Sequence, residues 1–546
     1  MAHINDLPAA VLTQILFKAT AISAKTLSEW KANLPLVAVC RAWTELAQPF
    51  VFYHVYVELT SSLWLDILPF AYSNTRSFWT SNAELIISRG RVLMARRLAI
   101  QLAENLTHGC LKSIALEILR LDRVDWQHIN ALAISSGPSV RQYYRYAADT
   151  EEASDADIAR TVQYFGRNVR NVVEINLDSK DRDPQCNYFC ARLAATYGRQ
   201  LQIHRACYLF PVSFLNFSRH IKVLELNLGS LASSVLTGIC GETLGVLQLY
   251  AVPRNFAWHH FRYDTFDQPI VFRQLTILHL NYQSEDESKV LTADEVQEKT
   301  SLGARNCDRL RFPALSEMSI VNCTPDCDLL YADLPFPELK SVALSGSIES
   351  IHHCCRLKLT WVHGLDVLIF PHSSGTSTEI YRATNHLFSN ICIGRTATLY
   401  LVTVDWFVLD ADQMRWINLT KLVVQRVDYA TICKAIGRLP NLCELTILYL
   451  VFGDMAVDDF SAHPSLFISA DPLLAWGMKL ETANILSFGN DYFLTVVIGT
   501  IQDFIQHAGE LKNLVVPKFA RQPVAAFIDV YKDRYPHLAD IQVLDD

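Results

Sequence analysis

The chain has 546 residues, of which 50% are hydrophobic and only 19% charged, with a formal net charge of −8. This composition excludes a disordered chain, and the length exceeds one compact core, so several domains or a solenoid are expected. The acidic balance argues against nucleic-acid binding, the lack of an apolar run of about 18 residues against a membrane span, and the leader-less start MAHINDLP against secretion.

The first readable element follows INDLP. Asn5 or Asp6 can cap a helix, with Pro8 in its first turn, where the missing amide costs nothing. Val11, Leu12, Ile15, Leu16 and Ala19 then recur at helical spacing. A second helical pattern spans residues 34–46 through Leu36, Val39, Cys40, Trp43 and Leu46. Short amphipathic helices of this kind need each other and a partner groove to cover both faces.

The order Leu7-Pro8, Ile15-Leu16, then Val39-Cys40-Arg41-x-Trp43 resembles an F-box. That is the helical hook by which a substrate receptor docks on the Skp adaptor of a cullin ubiquitin ligase. The stretch between Leu16 and Val39 is a few residues longer than in that family. The resemblance implies that Leu7, Pro8, Leu12, Ile15 and Leu16 belong to the adaptor-binding surface. Val39 and Trp43 would complete it by holding the hook together, with Cys40 buried and Arg41 near the rim. A plain helical cap on the following domain is the competing account of residues 1–50.

Beyond residue 50 the organisation follows LxxLxL. Val51–Val57 alternates like a first strand, while Ser61–Gly90 reads as mixed helix and loop. Copies of the motif include VVEINL at Val172, IKVLEL at Ile221, LGVLQL at Leu244, LTILHL at Leu275 and LSEMSI at Leu315. They continue with LKSVAL at Leu339, LDVLIF at Leu365, LTKLVV at Leu419, LCELTI at Leu442, LKNLVV at Leu511 and LADIQV at Leu538. LEILRL at Leu116 is another, and weaker copies begin near Ala95, Val140, Thr396 and Leu480. Starts at Ile221 and Leu244 lie 23 residues apart, and those at Leu315 and Leu339 lie 24 apart. This is the period of leucine-rich repeats. FPAL at Phe312, FPEL at Phe336 and LPNL at Leu439 lead into strands, and helical patterns such as Val497, Ile501, Phe504, Ile505 and Ala508 fall between them.

An F-box followed by irregular leucine-rich repeats resembles the F-box/leucine-rich-repeat proteins of fungi in particular. The resemblance implies an α/β fold: a helical F-box over residues 1–50, then a leucine-rich-repeat solenoid over 51–546. The solenoid would be a horseshoe with parallel strands on its concave face and helices on its convex face. Insertions are expected near 282–311 and 452–479.

Strand alternation turns the second and third apolar residue of each motif inward and the residues between them toward the concave face. In that frame the concave surface includes Val246, Gln248, Tyr250, Ile277, His279, Val367, Ile369, Tyr400 and Val423. It reads as unusually apolar, which fits a binding surface or the packing of a neighbouring segment. By resemblance it would hold an unknown protein substrate, while the F-box engages the Skp-type adaptor and through it cullin.

No phosphate loop, dinucleotide fingerprint, HExxH or nucleophile elbow is present in the sequence. The chain therefore reads as a non-catalytic adaptor without metal or cofactor, or as a repeat scaffold with no ligase. The 14 cysteines lie in apolar contexts, as reduced thiols of a cytoplasmic or nuclear protein do.

Overall fold

The computed structural model describes residues 8–20, 41–59, 79–102, 126–136, 154–178, 184–209, 220–228, 242–252, 270–282, 310–323, 339–346, 362–369, 393–401, 418–428, 439–451, 479–487, 501, 505, 510–533 and 536–545. They fall into two compact units, residues 1–253 with 259–266, and residues 254–258 with 267–546.

In the first unit, helix α1 (Ala9–Thr20) starts where the Pro8 carbonyl accepts the amides of Val11 and Leu12 at 2.9 and 3.0 Å. The expected caps Asn5 and Asp6 lie outside the described residues. Helix α2 (Arg41–Val51) runs further than the 34–46 pattern and carries Pro49 inside it. Its last turn is closed by the Phe52 amide on the Gln48 carbonyl at 3.0 Å. The strand expected from Val51 therefore begins three residues later, as β1 (His54–Leu59).

Strand β2 (Trp79–Ser81) runs antiparallel along one edge of β1, and helix α3 (Ala83–Ser88) follows it. On the other edge of β1 stand parallel strands β3 (Arg97–Leu102), β4 (Ala131–Ser136), β5 (Glu174–Asp178), β6 (Ile203–Leu209), β7 (Val223–Asn227) and β8 (Val246–Val252). Helices α4 (Asp155–Asn168) and α5 (Pro184–Tyr197) lie between β4, β5 and β6 in the chain. Helix α4 opens with a capping box, in which the Ser154 hydroxyl accepts the Asp157 amide and the Asp157 carboxylate accepts the Ser154 amide. Gly166 lets α4 approach α5, since a Cβ there would lie 3.0 Å from Thr196 Cγ2.

The motif residues form the core. Val172, Ile175 and Leu177 are buried before and within β5, as are Ile221, Leu224 and Leu226 at β7 and Leu244, Leu247 and Leu249 at β8. Two strands had no evident motif. At β4 the three positions are Ile129, Leu132 and Ile134, and at β6 they are Leu201, His204 and Ala206, all buried.

The second unit holds a ten-strand parallel sheet in chain order. Its strands are β10 (Ile277–Tyr282), β12 (Glu317–Cys323), β13 (Ser341–Gly346), β14 (Val362–Ile369), β15 (Ile393–Leu401), β16 (Lys421–Asp428), β17 (Glu444–Val451), β18 (Thr482–Ile485), β19 (Asn513–Val516) and β20 (Gln542–Asp545). A short parallel pair, β9 (Ile270–Val271) with β11 (Leu310–Arg311), leads into the stacked rings of Phe272 and Phe312, 5.0 Å apart. Helix α6 (Lys518–Tyr531) connects β19 to β20.

The strands are handed on by one recurring device. The Asn130 carbonyl accepts the amides of both Val173 and Glu174, and Val173 does the same for Gln202 and Ile203. Gln202 repeats it for Lys222 and Val223. In the second unit Thr420 serves Cys443 and Glu444, and Cys443 serves Glu481 and Thr482. Few helices among the described residues, and a long parallel sheet with buried triplets recurring on most of its strands, are the marks of a repeat solenoid. No helix among the described residues is long and apolar enough to cross a membrane.

Candidate functional site

Two surfaces carry the residues singled out by the sequence. The first is the α1–α2 pair. The apolar stripe of α1 splits into two flanks one residue apart. Leu12 and Leu16 are 4% and 1% exposed, while Val11 and Ile15 remain 42% and 39% exposed. Pro8 is exposed on the outer flank, one helical turn before Val11. In α2, Ala47 and Val51 are buried and Trp43 is partly buried. Leu7 and Val39 lie outside the described residues. Of the seven hook residues, Pro8 and Ile15 thus face outward, Leu12 and Leu16 inward, and Trp43 stands at the border.

The second surface is the sheet face opposite the buried triplets, taken for each unit by itself. In the first unit, Val246, Gln248 and Tyr250 are each partly exposed between buried Leu247, Leu249 and Val252, as alternation requires. The Tyr250 hydroxyl lies 3.4 Å from Gln248 Oε1. On the same face, Arg205 approaches Glu174 at 3.2 Å and Glu225 at 3.7 Å. One guanidinium shared by two carboxylates leaves a surplus of negative charge. At the β1 end, the His54 ring stacks on Tyr56 at 5.4 Å. Burial, and then the Arg97 charge, push its pKa down to about 4. His204 points the other way, into the core, and burial alone pushes it down to about 4.

In the second unit, Ile277 and His279 are partly exposed between buried Leu278 and Leu280, and Val423 holds the same place in β16. The ladder shifts the frame at β14. Leu365 pairs with Val342 and Val367 with Leu344, both buried in β13. Val367 and Ile369 therefore share the register of Leu344 and Gly346, and Asp366 that of Ala343. WVHGLDVLIF contains two overlapping frames, Val362-x-x-Leu365-x-Val367 and Leu365-x-x-Leu368-x-Phe370, which differ by three residues. An odd slip exchanges the two faces of a strand. Tyr400 pairs with Leu368 and keeps the expected register.

This face is more polar than the expected list suggested. Lys421 Nζ bonds Glu444 Oε1 at 2.6 Å, and Asn484 donates to Thr446 Oγ1 at 2.9 Å. Beside Gln248 and His279, the face thus carries Lys421, Glu444, Thr446 and Asn484. Among the described residues, no cluster of His, Cys, Asp or Glu has the makings of a metal site. No protein-family model matches this chain, and no curated protein does either.

Proposed function

We propose that the chain is the substrate-recognition subunit of a Skp–cullin–F-box ubiquitin ligase. Its N-terminal helices dock the Skp-type adaptor, and a leucine-rich-repeat horseshoe offers its concave strand face to a protein substrate. Catalysis belongs to the partner enzymes, and this chain contributes proximity.

The observation that carries the reading is the split stripe of α1. Leu12 and Leu16 are buried on α1, which packs on α2, while Pro8, Val11 and Ile15 stay exposed and open to a groove on another protein. Each large aliphatic side chain buried there stabilises the complex by about 1.5–3 kcal/mol, and association costs at least ~4 kcal/mol. Val11 and Ile15 alone would bind weakly, so Leu7 and Val39 are needed as further anchors.

The test is co-purification with a Skp adaptor, comparing wild type with Val11→Glu, Ile15→Glu. Both side chains are exposed, so the variant should melt like wild type. Loss of the complex at unchanged stability supports the receptor reading. Failure of well-folded wild type to bind any Skp adaptor sinks it. The second reading is a leucine-rich-repeat scaffold with no ligase. The burial of Leu12 and Leu16 favours it, since a helical cap needs the same contacts.

A further inference from the structure

Helix α6 keeps part of its apolar surface exposed. Ala520, Val524 and Ile528 recur every fourth residue and are buried. Phe519, Pro523, Ala526, Phe527 and Val530 follow the spacing i, i+4, i+7, i+8, i+11 and form a second flank beside the first. This second flank meets solvent, with Phe519 52% and Val530 70% exposed. A contiguous exposed apolar stripe marks a contact surface.

The charges bordering the flank say what covers it. Helix α6 has no acidic residue in its first turn and no basic residue in its last. Lys518 stands at its N-terminal end, and Asp529 and Asp533 near its C-terminal end. A lone helix is stabilised by the opposite arrangement. Helical spacing sets Lys518 and Asp529 on the same border of the flank, and Asp533 follows just past the helix end. Asp529 has a surface partner in Lys532 at 3.3 Å, a contact of small energy.

We infer that the chain self-associates through this flank, with α6 of a second copy lying antiparallel across it. Phe519 then meets Val530 of the second copy, and Lys518 meets its Asp529 and Asp533. The opposed helix dipoles are compensated at both ends. A parallel arrangement would bring like charges to the same end, Lys518 with Lys518 and carboxylate with carboxylate, and give neither an opposite charge to pair with. The flank is self-complementary in one orientation only, which selects a two-fold pair over an unrelated helix. It is about 17 Å long at 1.5 Å per residue, a short strip for a standard interface of ~1,600 Å². The dimer is therefore a micromolar one. It places two strand faces in one particle, whichever account of the N-terminal helices holds.

Sedimentation velocity of the full chain, from about 1 to 100 μM, tests this. Wild type should pass from monomer to dimer across that range. Phe519→Ser, Val530→Glu should stay monomeric with an unchanged thermal melt. Lys518→Glu alone, and Asp529→Lys with Asp533→Lys alone, should each dimerise severalfold more weakly. Mixing these two charge variants should restore a heterodimer. A wild type that stays monomeric overturns the inference. So does a dimer that survives in the Phe519, Val530 variant, or charge variants that do not complement each other.

Discussion

Asn82 completes the edge of the first sheet for Tyr56. Its Oδ1 accepts the Tyr56 amide at 2.8 Å, and its Nδ2 donates to the His54 carbonyl at 3.0 Å. Strand β2 stops at Ser81, opposite Val57, and the Asn82 side chain continues the pairing where its backbone turns into α3. Replacing Asn82 with Ala leaves a buried amide and a carbonyl without their partner, at about 1–3 kcal/mol each. Asn82→Ala should lower unfolding stability by roughly 2–4 kcal/mol in a urea titration. A loss below ~1 kcal/mol would mean that water replaces the amide.

His204 should make the first unit acid-sensitive. It occupies a leucine position of the repeat, between Ile175 and Leu224 in the ladder. In the folded chain its pKa is about 4 against an ordinary 6.5. Between those values the unfolded chain takes up a proton that the folded chain refuses. Stability is therefore full above pH 6.5 and falls as pH drops toward 4, by up to about 3 kcal/mol. His204→Leu should flatten the difference between melts at pH 7.5 and pH 5. His54, with a similar depression, should leave a smaller residual slope.

The Tyr197 hydroxyl is buried without a hydrogen-bond partner, and burial raises its pKa beyond the ordinary tyrosine range. Removing an unsatisfied buried hydroxyl while keeping the ring should be neutral or stabilising. Tyr197→Phe should raise stability by about 1 kcal/mol at neutral pH, read as a higher melting temperature. A destabilised variant would point to a bound water on the hydroxyl.

Among the described residues, two non-glycine residues sit at positive φ, Ala251 at 48° and Asn322 at 52°. Asn322 is held there by its side chain, which donates to Asn281 Oδ1 at 3.0 Å and to the Tyr282 carbonyl at 3.2 Å. Ala251 has no such means, and left-handed backbone costs an alanine roughly 1 kcal/mol. Ala251→Gly should stabilise by a few tenths to about 1 kcal/mol. Asn322→Ala should cost about 1–2 kcal/mol, the lost hydrogen bonds adding to the strain. Chemical denaturation of the two variants side by side gives both signs.

Where all three motif positions are large and aliphatic, the sequence placed the strand and its faces correctly, as at β7, β8 and β10. It missed β6 because His204 and Ala206 break the apolar count, while β4 was passed over although Ile129, Leu132 and Ile134 form as apolar a triplet as the one at β7. At β14 two overlapping frames fit the same residues, so the signal there was strong but its register ambiguous. Helix α6 was hidden by Pro523, which reads as a helix breaker yet is accommodated inside the helix. On α1 the periodicity identified the apolar residues but not their division. Val11 and Leu12 are equally hydrophobic neighbours, and only packing against α2 decides which one meets water.

The paired-amide junctions also separate loop length from strand register. Gln202 hands on to Lys222 after 20 residues and Asn130 to Val173 after 43, with the same two hydrogen bonds. Doubling a flexible connection adds only about 0.6 kcal/mol of closure cost. Between junctions the chain can gain or shed tens of residues and leave every strand opposite its former neighbour. Diversification of the loops can then proceed one repeat at a time, with no compensating change elsewhere in the sheet.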